Sequence, residues 1–199
     1  AYDRIAEKLA EPAYRPRALF ERFNIEAIAT TEGALDDLRY HRMIRESGWK
    51  GKVVTAYRPD AVVDPDFEGF SANLDRLGEM TGEDTGIWAG YLAAHRKRRA
   101  YFKDFGATSS DHGHATATTE NLSDAEAAKL FDRVRAGKAD AAERNRFRGQ
   151  MLTEMAKMSL DDGLVLQIHP GSWRNHSPAM MGKFGRDMGF DIPTRTDYG

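Results

Sequence analysis

Apolar and polar positions along this chain alternate between two periods. Four short runs, NIEAIATT at 24–31, KVVTAY at 52–57, GATSS at 106–110 and LVLQIH at 164–169, are apolar, often β-branched, and followed by polar or turn residues. That pattern predicts buried strands, the third being the weakest. Between them the apolar residues recur at helical spacing. A helix is predicted from Asp36 to about Ser47, with Gly48 as its stop, and Ser123 followed by Glu126 makes a capping box. A long helix from Ile87 to about Asp104 places Ile87, Trp88, Tyr91, Leu92, Phe102 and Phe105 on one stripe, and Lys97, Arg98 and Arg99 are read as its solvated face. His95, four residues after Tyr91, falls beside the stripe and reads as a packed histidine. From about Asp140 to Leu160, Phe147, Met151, Leu152, Met155 and Met158 recur at helical spacing and read as core, since methionine fills irregular apolar gaps.

Strands alternating with helices imply parallel strands, because right-handed crossovers return each helix over the sheet. The fold class is therefore α/β, either a doubly wound sheet or part of a (β/α)8 barrel. Both gather their functional residues at the C-terminal ends of the strands. The stretches just past the four strands are TTEG (30–33), YRPD (57–60), SDHG (110–113) and HPGSWRN (169–175). They supply Arg58, Asp111, His112, His169 and Arg174 where such a fold presents its chemistry. Each also has a structural reading: Arg58 can pair with Asp60, and an aspartate beside serine and glycine is commonly a turn or capping residue. His112 and His114, two positions apart, would share one side of an extended strand and bind a metal only with a third converging ligand. Gly113 between them and a strand expected to end before them argue against that, so no metal ligand is assigned in this segment.

The composition narrows the classes. There is no cysteine among the 199 residues, which removes disulfides and thiolate metal sites and leaves His, Asp and Glu as ligands. A formal net charge of −2 gives no reason to expect a nucleic-acid partner or an anionic membrane surface, and the basic run His95–Arg99 is local. No window approaches a membrane span, and the start AYDRIAEKLAEP is too charged for a signal peptide, so a cytoplasmic location is expected. GKFGRDMG at 182–189 lacks the preceding strand and the spacing of a phosphate loop. An opening at Ala1 and an end at RTDYG lead us to read residues 1–199 as one partial domain, a segment of a longer polypeptide.

The stretch from Phe20 to Ile192 resembles the uronate isomerases of the amidohydrolase superfamily. The likeness rests on Thr30-Thr31 after the first strand, Arg58-Pro59-Asp60 after the second, Ser110-Asp111-His112-Gly113, and His169 with Arg174-Asn175, in that order. It implies a distorted (β/α)8 barrel of which these strands are about the third to the sixth. The implied reaction interconverts D-glucuronate with D-fructuronate, or D-galacturonate with D-tagaturonate. A divalent metal is also implied, zinc being the leading expectation, with its main ligands and the principal base outside this segment. A homo-oligomer acting on a small-molecule uronate is expected. An aldose–ketose isomerisation moves a proton from C2 to C1 through an enediol, and needs a base, groups that steady the oxyanion and an anchor for the remote carboxylate. Arg58 is the candidate anchor because a planar guanidinium matches a carboxylate in two hydrogen bonds. Asp111 and His169 are assigned to the chemistry, with His112 and Arg174 as substrate contacts. Two rivals are carried forward: a metal-dependent hydrolase on the same barrel, which has no need of Arg58, and a non-catalytic barrel scaffold.

Overall fold

The computed structural model describes residues 1–114, 116–196 and 198. Its centre is a parallel sheet in the order β1 (Ala27–Gly33), β2 (Lys52–Arg58), β3 (Ser109–His112) and β4 (Val165–Ile168). Each strand lies beside its predecessor, as alternating strands and helices dictate. The register pairs Gly33 with Arg58, Tyr57 with Ser110, and Asp111 with Gln167. The C-terminal ends are thereby brought level.

Helices α1 (Tyr2–Ala10) and α2 (Pro16–Arg22) precede the sheet. The crossovers carry α3 (Arg39–Glu46), then α4 (Asp60–Val63), α5 (Phe70–Thr81) and α6 (Trp88–Asp104), then α7 (Asp124–Arg135) and α8 (Ala141–Asp162). After β4 comes an excursion in which β5 (Ser172–Trp173) pairs antiparallel with β6 (Ile192–Pro193) around α9 (Pro178–Phe184). The 182–189 stretch falls at the end of this helix and just beyond it. No helix among the described residues is long and apolar enough to cross a membrane.

Local signals explain the boundaries. Both α7 and α8 open on full capping boxes, Ser123 with Glu126 and Asp140 with Glu143, and α8 closes on Gly163 at φ 77°. The predicted opening of α3 is displaced. Asp36 Oδ1 accepts the Leu38 amide at 2.6 Å in a turn, Leu38 adopts a left-handed conformation, and the helix begins at Arg39. Sequence and structure differ most at β3, which starts later than predicted and runs on through Asp111 to His112.

The two faces of the sheet differ in kind. Tyr57, Ser110 and His112 point to the helices, where Tyr57, Leu74, Leu77, Tyr91, Phe102, Phe131, Phe147, Met151 and Met155 build the core. Tyr91 stacks on Phe131 with centroids 4.8 Å apart. The other face, which would line the inside of a barrel, is open: Val165 is 63% exposed, and Ala29, Thr31 and Gln167 are also exposed.

Two of the three residues assigned to a solvated face of α6 are buried. Arg99 is fully enclosed, with Nε 2.5 Å and Nη2 2.9 Å from the Asp162 carboxylate and Nη2 3.0 Å from Ser159 Oγ. Arg98 donates to the carbonyls of Ala34 at 2.8 Å and Asp36 at 2.6 Å, with its guanidinium over the Tyr101 ring. Because α6 is packed against the sheet and other helices, its buried arc exceeds one stripe, and the arginine stems span the apolar layer to reach oxygen partners. Lys97 does face solvent, paired with Glu83. Ile87, placed on the stripe, is the exposed N-cap.

Candidate active site

Three strand ends meet around Asp111. Arg58 is the last residue of β2, Asp111 stands on β3 facing the open side, and His169 follows β4 with its amide bonded to the His112 carbonyl at 3.1 Å. Alternation along β3 turns the Asp111 carboxylate away from the helices. The carboxylate lies between the other two groups: Oδ2 is 3.7 Å from Arg58 Nη1, and Oδ1 is 3.1 Å from His169 Nε2. The latter is an ion-pair distance without the alignment of a hydrogen bond. A loose contact of this kind is common at apo sites, where catalytic hydrogen bonds tighten only around substrate.

The structural reading of Arg58 is also present. Its Nε donates to Asp60 Oδ2 at 2.7 Å, and Asp60 Oδ1 accepts the Gly113 amide at 3.0 Å. Arg58 thus both pairs locally and reaches towards Asp111. Its side chain remains 32% exposed.

A cavity of about 350 Å³ opens beside this cluster. Arg58, Asp60, His114, Arg148, Arg174 and Arg186 are among its walls. Asp111 and His169 are not among its lining residues, and Arg58 is the side chain that joins their cluster to the cavity. Arg174 comes in from the excursion, held by Asp191 Oδ2 at 3.1 Å.

His112 does not join this group. As the residue after Asp111 on a strand it points the opposite way, fully buried beneath the helices, with Nε2 3.0 Å from Ser110 Oγ. Burial, with the neighbouring His114 adding to it, holds its pKa well below the usual histidine range. The expected substrate contact by His112 is therefore corrected: continuation of β3 puts its ring on the core side. His114 is the histidine that lines the cavity. It is 7% exposed, and burial keeps its pKa low although Asp60 and Asp64 pull the other way. His95 is a packed histidine as read, with Nδ1 2.8 Å from the Tyr57 hydroxyl and a pKa pushed down to about 3 by burial and by Arg99.

Asp60, Gly113, His114, Arg148 and Arg186 have no catalytic or substrate role assigned from the sequence, although the sequence offers His114 as a metal ligand with His112, and Asp60 as a partner of Arg58. Asp60 and Gly113 are the last residues of the Arg58-Pro59-Asp60 and Ser110-Asp111-His112-Gly113 motifs, and His114 adjoins the second. Arg148 is on α8 and Arg186 in the excursion, far along the chain, where no local signal marks them. Among the described residues no three His, Asp or Glu side chains are grouped to hold a metal ion.

A family model described as glucuronate isomerase matches residues 1–198. The chain belongs to the glucuronate isomerase family. It is 77% identical over 197 residues to the uronate isomerase of Mesorhizobium japonicum and 76% identical to that of Rhizobium meliloti, covering 99% of this chain and 42% of each relative. Among solved structures it is similar to the glucuronate isomerase from Caulobacter crescentus, with a TM-score of 0.94 and 58% identity over 98% of this chain and 41% of that one. The uronate isomerase from Thermotoga maritima superposes with a TM-score of 0.86 at 27% identity, over 92% of this chain and 41% of that one. The chain therefore spans about two-fifths of the length of these relatives. Its four parallel strands are part of the barrel of a glucuronate isomerase fold.

Proposed function

We propose that the complete protein interconverts aldo- and ketohexuronates, D-glucuronate with D-fructuronate or D-galacturonate with D-tagaturonate. The observation that carries this reading is the convergence of Arg58, Asp111 and His169 at three adjacent strand ends, in a chain of the glucuronate isomerase family. Arg58 receives the substrate carboxylate. The single side-chain hydrogen bond of Arg58 among the described residues uses Nε, which leaves the two Nη groups for a planar, charge-assisted contact.

Asp111 and His169 stand next to that anchor. An imidazole beside a carboxylate can accept a hydroxyl proton and return it, and the weakly aligned pair is free to re-form around the sugar. In this reading they orient the C1 and C2 oxygens while the enediol forms. Arg174 approaches from the excursion as a further substrate contact. The divalent metal implied by the resemblance, with zinc as the expectation, finds no three-ligand set among the described residues. This chain contributes anchoring and proton handling. A hydrolase acting on neutral amides or esters would offer Arg58, on the cavity wall, no anionic group to bind.

The test is incubation of the full-length purified protein, supplied with divalent metal, with D-glucuronate and with D-galacturonate, following ketose formation. Turnover of at least one is expected. Failure on both by folded protein would overturn the proposal and revive the scaffold reading.

A further inference from the structure

Asp60 has no part in proton transfer as read above, yet both of its oxygens are committed. Oδ2 accepts from Arg58 Nε at 2.7 Å, and Oδ1 accepts from the Gly113 amide at 3.0 Å. The side chain is 19% exposed and stands at the first residue of α4. One carboxylate therefore ties the end of β2 to the end of β3. Its helix is anchored in turn, because Tyr91 donates its hydroxyl to the Val62 carbonyl at 2.6 Å.

The choice of nitrogen matters. A guanidinium offers a carboxylate two bidentate edges, one including Nε and one made of the two terminal nitrogens. With Nε taken by Asp60, only the terminal edge is left. That edge already has Nη1 turned towards Asp111, and Nη2 would lie 2.8 Å from a Cβ placed on Gly113. A substrate carboxylate must then arrive end-on, in the space between the β2 and β3 ends.

We propose that Asp60 is a positioning residue that presents the terminal edge of Arg58 to the substrate carboxylate and fixes its distance from Asp111. The proposal rests on the isomerase reading given above. A competing role is mere neutralisation of Arg58, and the two roles differ in sign. If Asp60 only offsets the arginine charge, removing its own charge strengthens the attraction for an anionic substrate and lowers KM. If it positions the arginine, the same change frees a long, flexible side chain and raises KM.

The experiment uses the full-length protein with Asp60→Asn, Asp60→Glu, Arg58→Met and the Arg58→Met/Asp60→Asn double variant. Asparagine keeps an acceptor for the Gly113 amide but turns a donor towards Arg58 Nε. Asp60→Asn should raise KM by about tenfold with kcat changed far less, because a uniform binding contact is weakened. Asp60→Glu, which keeps the carboxylate, should recover part of the loss. The double variant should be no worse than Arg58→Met alone, since two residues acting through one contact are not additive. An unchanged or lowered KM in Asp60→Asn, or losses that multiply in the double variant, would overturn the proposal.

A second readout needs no turnover. The rate at which phenylglyoxal modifies Arg58, mapped by mass spectrometry, should rise several-fold in Asp60→Asn, whereas Arg186, 4.0 Å from its partner Glu68, should be modified at the parental rate. If the parent turns over neither uronate, the isomerase reading has failed, and this rate alone decides for Asp60. Arg58 labelled at the parental rate in Asp60→Asn sinks the proposal.

Discussion

Gly113→Ala is the sharpest probe of the site because it adds one methyl group where three functional side chains meet. A Cβ there would stand 2.6 Å from Asp60 Oδ2, 2.8 Å from Arg58 Nη2 and 3.2 Å from His169 Cε1. Gly113 is not among the residues with positive φ, so the cost is crowding and not backbone strain. Ordinary contact begins near 3.4 Å, so the Asp60 oxygen must retreat by about 0.8 Å and the Arg58 nitrogen by about 0.6 Å. Both belong to the Asp60 clamp, so the shift disturbs the placement of Arg58 relative to Asp111. Overpacking of this degree costs about 1–3 kcal/mol of stability. A displacement near 1 Å at a reacting centre costs up to roughly two decades in rate, so kcat/KM should fall by about one to two decades. The assay is uronate turnover by the full-length variant well below its melting transition, with circular dichroism and a thermal scan on the same preparation. A folded Gly113→Ala protein whose kcat/KM lies within about twofold of the parent would show that these residues do not act together on substrate.

Three further outcomes are expected. Arg58→Met should lose about 1.5–3 kcal/mol of transition-state binding, one to two decades in kcat/KM, and Arg58→Lys somewhat less because it keeps the charge without the planar fork; parental kinetics in a protein that melts like the parent would refute the anchor. Arg99→Met should destabilise by about 1.5–3 kcal/mol in urea unfolding, because it takes the charge-assisted partner from the partly exposed Asp162 carboxylate; a change under about 1 kcal/mol would contradict the role given to that pair. His95, His112 and His114 all have depressed pKa values, that of His95 near 3. Below the unfolded pKa of about 6.5 the unfolded chain binds protons that the folded one refuses, so stability is intact above that pH and falls as pH drops towards 3. His95 contributes up to about 1.4 kcal/mol per pH unit in that window, and His112 and His114 act in the same direction. Urea unfolding at pH 7.5 and 5.5 measures the slope, and His95→Asn should flatten it; equal stability at both pH values would be the contrary result.

The parallel sheet and the strand-end positions of Arg58, Asp111 and His169 were legible because strand period and chain order are local properties. The faces were less so. Asp111 and His112 are neighbours in sequence, and only the length of β3 decides that one faces Arg58 and His169 on the open side of the sheet and the other the core. GATSS carries too little apolar content to reveal that the strand continues past Ser110. Arg98 and Arg99 were misplaced for a different reason. A helix covered on several sides buries residues that a single-stripe pattern assigns to water, and its arginines are tolerated only because Asp162 and the carbonyls of Ala34 and Asp36 await them far along the chain. Arg148 and Arg186 reach the cavity wall from elements whose position only the folded chain supplies.

The order of the strands has a consequence for handling the molecule. Among the described residues β1 pairs only with β2, and β4 only with β3, so each outer strand offers a row of amide and carbonyl groups to any extended backbone that comes near. Neither strand contains a proline, and on β1 small side chains at Ala27 and Ala29 let another chain approach closely. A preparation of these 199 residues alone is therefore a template for self-association. Its self-association should rise steeply with concentration unless other backbone caps both rows.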